Sequence, residues 1–302
     1  MYDVIILGSG PAGLTAALYC GRGNKNTLVM GGDTLGGQTA GIAKLENYPG
    51  WAGSGFELIE FMKNQAESFG AKIEMISAKS ISDGTNGTFI VTDNHDKTYE
   101  TRTIILATGA KPRQLEIEGA RELFGRGVSY CATCDGFFYG GKTVLVMGGG
   151  NSALNDALYL ADIAKTVKIV YRKSAFTRAE AVLRERVAAK ENIECLFDTD
   201  LKKIAQKPDS ETGELIATTT DGRELVCDGI FVAIGHEANT DYLSEDIHRD
   251  ELGRLAPNVL PAGMFVAGDV HSNIKMQIAT AVGTGCTAAM DAIAYLNTKN
   301  QQ

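Results

Sequence analysis

Cys131 and Cys134 stand three residues apart in the stretch SYCATCDG, and Asp135 follows them at once. Residues i and i+3 on a turn or a first helical turn face the same way, which brings their Cα atoms to the ~5.5 Å usual for a disulfide. Such a pair can open and close without refolding the chain. Backbone N–H groups at the start of a helix would favour the thiolate, the reactive form of cysteine. Zinc would need two further ligands in similar array. Cys20, Cys195, Cys227 and Cys286 are dispersed, and His95, His236, His248 and His271 form no spaced pair. No metal is therefore expected, and those four cysteines read as core or incidental. Asp135 offers a proton donor and acceptor beside the sulfurs, as reduction of a disulfide requires. It could equally cap the turn that follows.

These residues need a scaffold that brings them a two-electron carrier. YDVIILGSGPAGLTAALYCGR, from Tyr2, is a β-branched run, then Gly8-x-Gly10-x-x-Gly13, then an Ala/Leu-rich helical stretch. KTVLVMGGGNSALNDALYLAD, from Lys142, repeats the pattern with Gly148-x-Gly150-x-x-Ala153. Glycines between a strand and a helix allow the tight turn, let backbone approach a pyrophosphate and let the helix pack on the strand. The helix start then offers N–H groups to phosphate. Two dinucleotide sites are expected. Strands ending in glycine recur at TIILATGAKP, GIFVAIGHEAN and GMFVAGDV, and a long small-residue helix follows the last of these.

The fold expected is α/β, with two Rossmann-like dinucleotide-binding domains, the second inserted into the first and joined by a two-stranded hinge. The first domain would comprise residues 1–113 and 244–302, and the second 114–243, with hinges near Pro112 and Asp241. A chain of 302 residues with 44% apolar content can fill both cores. A net charge of −8 with mixed signs argues against a nucleic-acid partner. No apolar run approaches the ~18 residues of a membrane span, and no signal peptide is apparent, so a cytoplasmic location is expected. In a reducing compartment, close-set cysteines point to redox or metal chemistry.

Charge near each turn bears on the ligand. After the first turn the glycine-dense GGDTLGGQT, with Asp33, suits a bulky, tightly held cofactor such as FAD, unless it is only a surface loop. After the second, Arg172, Lys173 and Arg178 stand where NAD enzymes carry an acid, which suits the 2′-phosphate of NADPH, unless they are a solvated helix start.

The motifs GSGPAGLTAALY, GGQT, ENYPG, ATGA, GRGVSYCATCDGFF, GGGNSALNDALYL and FVAGDV, in this order, span nearly the whole chain. Together they resemble the low-molecular-weight thioredoxin reductases of bacteria and archaea. The CATCD core is the most specific, because most related flavoprotein disulfide reductases carry their cysteines in the FAD domain. The resemblance implies FAD held by Gly8, Gly10, Pro11, Ala12, Gly13, Gly36, Gly37, Gln38, Asn47, Gly109, Gly268, Asp269, Gln277 and Ile278. Asp269 would bond the ribityl chain. It implies NADPH on Gly148, Gly150, Asn151, Ser152 and Ala153, with Arg172, Lys173 and Arg178 on its phosphate. Two electrons would pass from NADPH through FAD to the Cys131–Cys134 disulfide. Cys134 would be the flavin-proximal sulfur, Cys131 would attack thioredoxin, Asp135 would be the acid/base, and Arg126 would help dock thioredoxin. The family is homodimeric, and a domain rotation would present the cysteines and the nucleotide to the flavin in turn.

Two departures bear on the donor. The family's His-Arg-Arg-x-x-x-Arg is replaced by Tyr171-Arg172-Lys173 with Arg178 one residue late, and Lys275-Met276-Gln277 lacks a frequent arginine. NADH, reduced ferredoxin or a deazaflavin are the alternative donors. A flavin-bound redox sensor without turnover is the alternative to an enzyme.

Overall fold

The computed structural model describes residues 1–42, 44–208, 210, 213–272 and 274–299. The chain divides into two compact units, Met1–Lys111 with Glu237–Gln302, and Pro112–His236.

In the first unit, β1 (Tyr2–Leu7) leads through the Gly8–Gly10 turn into α1 (Pro11–Arg22), and β2 (Thr27–Met30) returns parallel to β1. Helix α2 (Gly55–Ser68) starts in a capping box, in which Ser54 and Glu57 each bond the other's backbone N–H. β3 (Lys72–Glu74) then adds to the edge beside β2, and β4 (Ala78–Asp83), β5 (Phe89–Asp93) and β6 (Thr98–Leu106) form an antiparallel excursion. β6 closes back parallel on β1, giving the order β3-β2-β1-β6-β5-β4. The apolar run Val4 to Leu7 is fully buried, as a strand covered on both faces must be.

β7 (Ala110–Pro112) is one strand of a two-stranded ribbon whose other strand comes much later in the chain. The second unit opens with β8 (Val128–Ser129) and the single turn α3 (Ala132–Asp135). β9 (Thr143–Met147), α4 (Asn151–Ala161), β10 (Thr166–Val170), α5 (Ala181–Ala188) and β11 (Ile193–Leu196) repeat the β-α-β plan. β12 (Leu201–Gln206), β13 (Leu215–Thr219) and β14 (Glu224–Cys227) form an antiparallel sheet apart. β15 (Gly229–Val232) completes the parallel sheet β11-β10-β9-β15-β8. β16 (His236–Ala238) pairs with β7.

The chain then rejoins the first unit, where β17 (Met264–Val266) pairs parallel with β6, and α6 (Ile278–Lys299) covers the sheet beside α1. The two helices meet through small residues: a side chain at Gly285 would come within 2.2 Å of the Ala12 carbonyl oxygen. Ala12, Ala16, Ala17, Ala288, Ala289 and Ala292 build this contact with Val4, Ile6 and Ile105.

The second crossing lies at His236–Glu237 rather than at the expected 243/244, and Asp241 belongs to the first unit. The reason is local bonding. Lys111 Nζ lies 2.6 Å from Asp241 Oδ2, Asn239 N donates to Gly109 O at 3.0 Å, and Thr240 Oγ1 donates to Gly253 O at 3.1 Å.

Candidate active site

Cys131 and Cys134 are joined in a disulfide with their Cα atoms 5.3 Å apart. Cys131 is the residue that caps α3, and the Cys134 N–H donates to Cys131 Sγ at 3.2 Å. That donor would favour a Cys131 thiolate after reduction. Cys134 is exposed and Cys131 half-buried. Burial instead pushes the thiols of Cys20 and Cys227 up to about 12, so neither competes as a nucleophile.

Asp135 does not cap the turn after it: the 3-10 turn Gly136–Tyr139 has no side-chain cap. Its Oδ2 instead accepts from Ser129 Oγ at 2.6 Å, and Ser129 Oγ accepts from Cys131 N at 3.0 Å. Tyr139 loses acidity through burial first and through the Asp135 charge second, which places that carboxylate within electrical reach of the phenol. Phe137 and Phe138, 82% and 68% exposed, follow directly and meet edge to face at 6.1 Å. Such an aromatic pair beside a redox-active disulfide suits contact with another protein. Arg126 is exposed in the turn before β8.

The first Gly-rich turn is shaped as its spacing predicts. Gly8 has φ +111°, and a Cβ placed on it would lie 2.2 Å from the Ala107 oxygen; a Cβ on Gly13 would lie 1.9 Å from the Gly8 oxygen. No side chain caps α1, and Pro11 at its start has no N–H, so the first-turn donors are left unused by a cap. Ser9 adds a tie that its sequence context does not announce: its Oγ donates to Gly31 O at 2.7 Å and accepts from Gly36 N at 3.2 Å. The Gly36-Gly37-Gln38 loop is thereby fixed beside the turn. Gln38 Nε2 donates to Ala110 O at 3.0 Å, next to Gly109. Asn47 Nδ2 donates to Gln277 Oε1 at 3.1 Å, joining two expected site residues far apart in sequence. Gly268 N donates to Thr284 Oγ1 at 3.0 Å, and Ile278 begins α6. Asp269 has no hydrogen-bond partner among the described residues, and burial raises its carboxyl above the usual range.

The second turn has the same backbone and different surroundings. Gly148 has φ +135°, and α4 likewise starts without a side-chain cap. Ala153 fills the place of Gly13, its Cβ 3.1 Å from where a Gly148 side chain would begin. The Tyr171 ring lies against Gly149, 2.4 Å from the position a Cβ would take, and stacks on Phe176 at 5.7 Å. Asn151 clamps the following loop: its Nδ2 donates to Glu180 Oε1 at 2.7 Å, and its Oδ1 accepts from Glu180 N at 2.9 Å. Ser152 is exposed on the first turn of α4. Arg172, Lys173 and Arg178 are exposed, just beyond β10, with no ion pair among the described residues. Tyr171 and Glu180 carry no sequence signal as contacts of the turn, because neither is a phosphate ligand by type.

Residues 2–285 match the family model described as pyridine nucleotide-disulphide oxidoreductase. The chain belongs to that family. Among curated relatives, a thioredoxin reductase of Rickettsia bellii is 42% identical, over 97% of this chain and 98% of that protein. A bifunctional thioredoxin reductase/thioredoxin of Mycobacterium leprae is 39% identical over 98% of this chain, which spans 66% of that longer protein. The crystal structure of Lactococcus lactis thioredoxin reductase superposes with a TM-score of 0.91 at 34% identity, covering 99% of this chain and 100% of the other. A ferredoxin-flavin thioredoxin reductase from Clostridium acetobutylicum gives a TM-score of 0.53 at 27% identity, covering 100% of this chain and 99% of that one. Within it, these full-length matches place the chain in the low-molecular-weight thioredoxin reductase family.

Proposed function

We propose that this protein reduces thioredoxin with electrons from NADPH, through FAD bound on the first unit and the Cys131–Cys134 disulfide on the second. The observation that carries the reading is that disulfide: two close-set sulfurs, one exposed, with an N–H on Cys131 Sγ and a carboxylate in the same turn.

The residues of the first turn fit FAD. An uncapped helix start suits a pyrophosphate, and the partly buried Asp269 carboxyl, without a partner among the described residues, suits a ribityl hydroxyl. The second turn fits a dinucleotide at its uncapped helix start, with three exposed cations close in sequence for a 2′-phosphate. When bound, nicotinamide and flavin would supply hydride transfer, which no side chain here can perform.

The chain's own groups perform the remaining steps. Reduction of the disulfide breaks the S–S bond, takes up two electrons and leaves two sulfurs as thiol or thiolate. The Cys131 thiolate attacks one sulfur of the thioredoxin disulfide, and a mixed disulfide forms as the other thioredoxin sulfur leaves. The Cys134 sulfur then attacks Cys131, restores the internal disulfide and releases thioredoxin as a dithiol. Asp135 holds and returns the proton these exchanges need at sulfur. Phe137, Phe138 and Arg126 would present the docking face. The homodimer and the cytoplasmic setting belong to the same reading.

A second reading keeps the dithiol and changes the donor. It is favoured by the Tyr171 ring against Gly149 and by Lys173 in place of arginine, since lysine offers a point charge and not a planar fork. Reduced ferredoxin is then the donor to try first.

Cys134→Ser tests the function. It should abolish thioredoxin reduction while the protein stays yellow and its flavin remains reducible. Normal turnover by that variant would refute the dithiol route.

A further inference from the structure

We propose that Ser129 is a positioning residue that holds Asp135 for proton transfer at the cysteine pair. The inference rests on the reading of Asp135 as acid/base. Ser129 is buried, 4% exposed, at the end of β8, where its register against Phe231 of β15 fixes the backbone. A hydroxyl has one proton to give. The short 2.6 Å contact assigns that proton to Asp135 Oδ2, and the Cys131 carbonyl, at 3.3 Å from the same Oγ, is the weaker acceptor. The Cys131 N–H fills an acceptor position on Ser129 at 3.0 Å. The hydroxyl thus links the Cys131 backbone to one oxygen of the carboxylate.

The other oxygen, Asp135 Oδ1, has no hydrogen bond among the described residues, so it is the one free to exchange a proton. A second anchor comes from the backbone, because Asp135 N donates to Cys131 O at 3.2 Å. With one oxygen held and the other open, the carboxyl keeps a single orientation beside sulfurs that must move when their bond opens. A general acid loses rate steeply when its orientation is lost.

The test is a double-mutant cycle on the full-length holoenzyme, reading steady turnover with thioredoxin disulfide and, separately, reduction of the bound flavin by the donor. Ser129→Ala should lower turnover by about tenfold and leave flavin reduction unchanged. Ser129→Thr, which keeps the hydroxyl, should recover to within about twofold, and Ser129→Val, of the same shape as threonine, should not; this pair carries the test if the alanine variant folds poorly. In an Asp135→Asn background, Ser129→Ala should cost less than about twofold more. An equal loss in both backgrounds, or full activity of Ser129→Val, would overturn the proposal while leaving Asp135 in its role. Full activity of Asp135→Asn would remove that role and the proposal with it.

Discussion

The two Gly-rich turns share a backbone and differ in what has been packed against it. Beside Gly8–Gly13, Ser9 Oγ fixes the Gly36 loop next to the turn. Among the other expected cofactor residues, Asn47 and Gln277 bond each other while the Asp269 carboxyl has no hydrogen-bond partner among the described residues. Around Gly148–Ala153 the neighbours close in, with Tyr171 on Gly149 and Glu180 bonded to Asn151. The same strand-turn-helix device therefore has different neighbours in the two units. On the proposed function, the first turn would hold its ligand throughout turnover and the second a ligand that comes and goes.

Breaking the first cradle should have the largest effect. In Gly13→Val the new Cβ would start 1.9 Å from the Gly8 oxygen, well inside van der Waals contact, and backbone cannot yield as a flexible side chain could. The purified variant is expected to be colourless and inactive, as its visible spectrum would show; a variant retaining a full complement of flavin would deny the cradle its role.

A smaller effect should sharpen the second. Arg172→Ala is expected to raise the apparent KM for NADPH by about tenfold, the loss of one charge-assisted hydrogen bond, and to leave that for NADH nearly unchanged. Equal changes for both nucleotides would contradict a 2′-phosphate contact. No change, together with fast flavin reduction by reduced ferredoxin, would favour the second donor.

The smallest effect concerns α4 itself. Burial raises the Asp156 carboxyl to about 7, against ~3.9 for an unfolded chain. Such a group costs nothing while protonated in both states; its penalty grows as pH rises from about 4 and is complete above about 7. Asp156→Asn should thus melt a few degrees above the parent at pH 8 and level with it at pH 4, by thermal scans at both. A constant difference at both values would remove ionisation as its cause.

Much of this was legible in sequence. Gly8, Gly13 and Gly148 mark both β-α turns because their spacing answers to steric demands of backbone alone. Cys131 and Cys134 were legible because a three-residue spacing sets their separation. The antiparallel sheet of β12 to β14 was not foreseen, although Asp221-Gly222 between β13 and β14 is a hairpin signal. The second crossing was misplaced because Thr240 to Glu245 looks like a polar linker, and only the long-range bonds of Lys111 and Gly253 reveal it as part of the first unit. Ser129 and Glu180 escaped notice for a related reason. Their roles depend on side-chain partners that no local pattern encodes.

The most direct measurement is anaerobic reduction of the whole protein by its donor, followed by thiol alkylation and peptide mass analysis. Cys131 and Cys134 should both become labelled as the flavin is reduced and reoxidised, and both should return to the unlabelled disulfide once oxidised thioredoxin is added. A flavin that cycles to reduce thioredoxin while those two cysteines stay bonded throughout would contradict the account.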